Sequence, residues 1–109
     1  MINYLFIETR EPFESRDVRF VIETAAALKQ RDNEVTIFLV QNAVLAARGK
    51  ATGSELRELP KAGIRLMADE FSLHERGILI DELLPGIHIS NIDSVVDIIA
   101  RENTRVIWH

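Results

Sequence analysis

Residues 63–78, GIRLMADEFSLHERGI, run from an apolar segment straight into a polar elbow. The first part, 63–69, carries the apolar content of a strand covered on both faces. The second part gathers Asp69, Glu70, His74, Glu75 and Arg76 around Ser72 and ends on Gly77. A buried strand that opens directly into ionisable residues is how parallel α/β sheets present their chemistry, because ligands settle outside the carboxyl ends of the strands.

Working outward, three more runs have the same character: INYLFIE (2–8), EVTIFLV (34–40) and the closing TRVIWH (104–109). GIHIS (86–90) is long enough for a minor strand. Between them lie helical signals. Val18, Val21, Ile22, Ala25 and Leu28 repeat at i, i+3, i+4, i+7, which puts them on one stripe. Ile92, Val95, Val96 and Ile99 repeat that spacing near the end, with Ser90 and Asp93 placed as a capping box. Residues 41–59 read as helix broken by Gly49, Gly53 and the following Pro60, and Gly63 sits where a helix C′ glycine belongs. Alternation of strand and helix implies right-handed crossovers and a three-layer α/β/α fold, with about five mainly parallel strands in a single domain spanning 1–109.

Composition narrows the function. A net charge of −4 leaves no basic footprint for nucleic acid. No apolar stretch approaches the roughly 18 residues that cross a bilayer, and Met1 leads into the first strand without a basic leader, so a cytoplasmic location is the expectation. The chain has no cysteine, which excludes disulfides, thiolate metal sites and thiol catalysis within it.

The strand ends supply the candidate site: Glu8-Thr9-Arg10 after the first strand, Gln41-Asn42 after the second, Asp69-Glu70 after the third, and Arg76 a helical turn later. Arg10, Asn42, Asp69, Ser72 and Arg76 form the candidate ligand set, with the two arginines as an anion clamp. The simpler reading of such rims is solvated polar surface. Ser72 fits a helix cap through SLHE (72–75) better than a nucleophile, since no G-x-S-x-G surrounds it. Asp69, Glu70, His74 and Glu75 match no metal spacing, so no metal or cofactor is expected. His88 and His109 stand isolated in the sequence, and Trp108 reads as core or subunit interface. TREPFES lacks the glycine of a flavin phosphate loop, and TRVIWH lacks the lysine of a phosphoacceptor domain.

YLFIETREPFES (4–15), EVTIFLVQNAVLAARG (34–49), AGIRLMADEFSLHERGI (62–78) and GIHISNIDSVVDIIARENTRVIW (86–108) together resemble the DsrE/DsrF-like family of sulfur-relay proteins. The resemblance implies a small α/β protein that assembles into trimers or hexamers, or beside related subunits. In active members a cysteine after the third strand carries sulfur as a persulfide. The positions that match it are Asp69 and Ser72, and neither can hold sulfur, because the thiolate is the nucleophile in that chemistry. The expectation is therefore a non-catalytic scaffold or partner subunit of sulfur relay, with a small-molecule or anion binder as the alternative. An enzyme using Ser72, or Asp69 with His74, is the weakest reading.

Overall fold

The computed structural model describes residues 1–10, 17–49 and 55–109. The proline loop at 11–16 and the break at Gly53 lie outside them. Five strands form one parallel sheet: β1 (Asn3–Glu8), β2 (Glu34–Leu39), β3 (Arg65–Asp69), β4 (Ile87–Ser90) and β5 (Thr104–Trp108), in the order β4-β3-β2-β1-β5.

That order dictates where the helices go. From β1 through β4 the chain steps outward in one direction, so right-handed crossovers place every connection on the same face. These are α1 (Asp17–Gln30), α2 (Glu58–Lys61), α3 (Glu70–Glu75) and the 3₁₀ turns at Gln41–Ala47, Glu55–Arg57 and Ile80–Glu82. The return from β4 to β5 runs the opposite way across the sheet, and its helix α4 (Ile92–Ile99) must lie on the other face.

The core divides accordingly. Phe6, Val35, Ile37, Leu39, Leu66 and Ala68 point to the α1 face, where Val21, Ala25, Ala43, Val44, Leu59 and Leu73 pack on them. Leu5, Ile7, Phe38 and Met67 point to the opposite face, where Val95 and Ile98 of α4 and the partly buried Val40 pack with them. Successive residues of one strand thus feed two cores, which is why the strands carry apolar side chains on both faces.

Helix ends follow local chemistry. After α1, Asp32 takes a left-handed conformation at φ 63° and the Asn33 amide donates to the Leu28 carbonyl at 3.0 Å. The expected C′ glycine is present: Gly63 has φ +85° and follows α2.

Three expectations are corrected. α4 is capped by Asn91, whose Oδ1 accepts the Ser94 N–H at 3.2 Å, rather than by Ser90. The residues expected to form its buried stripe do not all face the sheet. Val95 is buried, but Ile92, Val96 and Ile99 are 65%, 55% and 45% exposed, and Ile98 takes the second buried place. The helix is apolar on both sides, so spacing alone could not say which side the sheet would claim. For Trp108, 69% exposed, the core half of its reading falls and the subunit-interface half stays open.

Candidate functional site

Asp69 ends β3 with its side chain on the α4 face, since Met67 two residues earlier faces the same way. It is also the N-cap of α3, where Ser72 was expected. The Ser72 N–H donates to Asp69 Oδ2 at 3.0 Å and the Ser72 hydroxyl donates to the same oxygen at 2.7 Å. Ser72 in turn accepts the Gln41 N–H at 2.9 Å. Gln41 holds a left-handed φ of 55°, so this bond secures a sharp turn at the end of β2 to the start of α3. Both residues are deeply buried, Asp69 at 8% and Ser72 at 3% exposure.

Arg76 completes the network on its outer side. Its Nε and Nη2 donate to Asn42 Oδ1 at 3.3 and 3.0 Å, and its Nη1 donates to the Ser72 carbonyl at 3.3 Å. The structure therefore gathers Asn42, Asp69, Ser72 and Arg76 into one cluster joining the ends of β2 and β3. It does not bring Arg10 to them. Arg10 lies at the end of β1 beside Glu8, lining a separate cavity of about 10 Å³ with room for little beyond a water molecule.

A larger space opens against Asp69. Phe38, Val40, Asp69, Glu70, Phe71, His74, Asn91 and Ile92 line a groove of about 510 Å³ between the starts of α3 and α4. Among the described residues no group of three or more acidic, histidine or cysteine side chains is placed to hold a metal ion. None of the described helices is long and apolar enough to cross a membrane.

One constellation escaped sequence reasoning. Glu8, 2% exposed, sits at the end of β1 with its carboxylate against His109 Nδ1 at 2.9 and 2.8 Å. The Arg10 N–H also donates to it at 2.9 Å. His109 extends the β5 ladder, its N–H donating to the Ile7 carbonyl and its own carbonyl accepting from the Thr9 N–H and hydroxyl. The two residues lie a hundred positions apart, and the only signal was an acidic residue in an otherwise apolar strand.

Residues 3–108 match the family model described as the DsrE/DsrF-like family. The chain belongs to that family. No curated protein matches the sequence. The fold is shared by the crystal structure of the ychN protein from E. coli, with a TM-score of 0.86 and 19% identity over 100% of both chains. It is shared equally by the structure of MTH1491, a protein of unknown function from Methanobacterium thermoautotrophicum, with a TM-score of 0.84 and 19% identity over 100% of both chains. Within this DsrE/DsrF-like chain, Asp69 and Ser72, the two positions that the resemblance sets against the family cysteine, are bonded to each other. Only Asp69 lines the groove.

Proposed function

We propose that this chain is a non-catalytic DsrE/DsrF-like subunit of a sulfur-relay assembly, acting through self-association or association with related subunits. The observation that carries this reading is the α4 face. Val106 and Trp108 of β5 are in register with Leu5 and Ile7 of β1, whose side chains pack under α4. The two β5 side chains therefore point to the same face, where they stay 43% and 69% exposed. With Ile92, Val96 and Ile99 they give one side of the molecule more uncovered apolar surface than scattered residues account for. A trimer or hexamer built on this face would cover it.

The non-catalytic half of the proposal rests on the absence of any cysteine and on the Asp69–Ser72 pair in its place. Size-exclusion chromatography with light scattering tests the assembly. The wild type is expected to run as a trimer or hexamer, and Val96→Asp with Trp108→Lys is expected to run as a folded monomer. A monomeric wild type at micromolar concentration sinks the reading. Intact mass spectrometry after exposure to a sulfane donor tests the chemistry, with no covalent sulfur expected on the chain. The anion-binding alternative requires Arg76 to leave Asn42; stabilisation by thiosulfate or phosphate that vanishes in Arg76→Gln would favour it.

A further inference from the structure

We propose that the groove beside Asp69 binds a small organic cation, an ammonium group carried on an apolar stem. The inference concerns a ligand rather than a subunit, and it shares Ile92 with the face proposed above for assembly.

The argument begins with one oxygen. Asp69 is 92% buried by its 8% exposure, and both bonds that it accepts go to Oδ2. Oδ1 accepts none among the described residues, yet Asp69 lines the groove. No buried side-chain oxygen among the described residues lacks a partner, so Oδ1 is reached from solvent, and a donor in the groove can take the place of water there.

The rest of the lining says which donor. Glu70 adds a second carboxylate, while His74 and Asn91 add polar edges, and among the described residues no lysine or arginine lines the groove. The two cations nearest in the sequence reading are placed elsewhere: Arg76 is bonded to Asn42, and Arg10 lines the cavity at β1. An anion would meet two carboxylates with no counter-charge. A cation meets both, and the ring of Phe71 offers it a negative face as well.

The apolar part of the ligand follows from the walls. Phe71 is 67% exposed and Ile92 is 65% exposed on either side of a floor made by Phe38 and Val40. These side chains gain from a hydrocarbon body laid between them. The volume of about 510 Å³ lies within the range that holds small organic ligands.

A charge-matched series on the full-length chain tests this. Phenethylamine, phenethyl alcohol and 3-phenylpropionate share a ring and a two-carbon stem but differ in charge. In ¹H–¹⁵N NMR titrations the amine is expected to shift the amides of residues 69–74 and 91–92 saturably. The alcohol should bind more weakly and the carboxylate should leave those amides unmoved. Glu70→Gln is expected to weaken the amine by up to about fivefold, the scale of an exposed ion pair, and Phe71→Ala should weaken both amine and alcohol. Glu70 and Phe71 are exposed, so neither change threatens the fold. Equal or tighter binding of the carboxylate, amine shifts confined to other residues, or no saturable shift with the amine at millimolar concentration each overturns the proposal. The last includes the case in which assembly seals the groove.

Discussion

Two carboxylates at the ends of strands do different work because their partners differ. Glu8 is enclosed, and among the described residues its side-chain partner is the His109 ring. Removing that ring leaves a buried carboxyl group short of a hydrogen-bond partner, so His109→Ala should lower stability by about 1–3 kcal/mol, the scale of leaving a buried polar group unsatisfied. Urea denaturation measures this, and replacing both residues by leucine should recover much of the loss. Asp69 instead holds a cap and leaves one oxygen over. Asp69→Ala removes that cap and the acceptor of the Ser72 hydroxyl, at an expected cost of about 1–2 kcal/mol, whereas Asp69→Asn should cost less. Asp69 and Ser72, the positions that the resemblance sets against the family cysteine, are also unequal. Ser72 faces Gln41 inside the network while Asp69 opens on the groove. Asp69→Cys is therefore expected to react with a bulky thiol reagent much faster than Ser72→Cys, and equal rates would show that the groove does not reach residue 69.

At the scale of elements, the sequence signals were of uneven strength. β2 lies in the middle of the sheet, paired on both sides, and Ile37 at its centre is 1% exposed. Ile37→Ala should cost about 2–5 kcal/mol in chemical denaturation; a loss under one would contradict its burial. The turn into β4 depends on Gly86, whose φ is +86° and where an added Cβ would come within 2.8 Å of Pro60. Gly86→Ala should destabilise by more than about 1 kcal/mol, since conformation and contact both oppose it, whereas the same change at a compatible glycine stabilises. The inner strands β1, β2 and β3 were legible because each feeds apolar side chains to two cores. The caps were not. Asp69, Ser72 and Glu75 stand three apart, so D-x-x-S and S-x-x-E compete for the same helix start. The outcome depends on where β3 releases the chain, which its pairing with β2 and β4 decides.

For the whole molecule, the uneven covering of the sheet is the consequential feature. Several connecting elements cover one face, and an eight-residue helix covers the other. The single tryptophan sits on the thinly covered side at 69% exposure, which makes it a reporter of association. If this face is the subunit interface, Trp108 fluorescence should lie toward the blue in the assembled protein and move to the red on dilution or in Val96→Asp. An emission maximum that ignores both would place the interface elsewhere. The groove beside Asp69 opens on the same face, so ligand and assembly measurements together would reveal any coupling between them.

Pattern was enough to establish a parallel α/β sheet, its strand positions, the α1 stripe, and a chain without thiol chemistry. All of these depend on what each residue is and on spacings within a few positions. Pairing required the folded chain: Glu8 with His109, Asp69 as the cap in place of Ser72, Arg76 bound to Asn42 and apart from Arg10, and α4 exposing Ile92, Val96 and Ile99. Those outcomes turn on which residues are brought within hydrogen-bonding reach, and on which side of a doubly apolar helix the sheet takes. Contacts between distant parts of the chain leave no periodic trace in it.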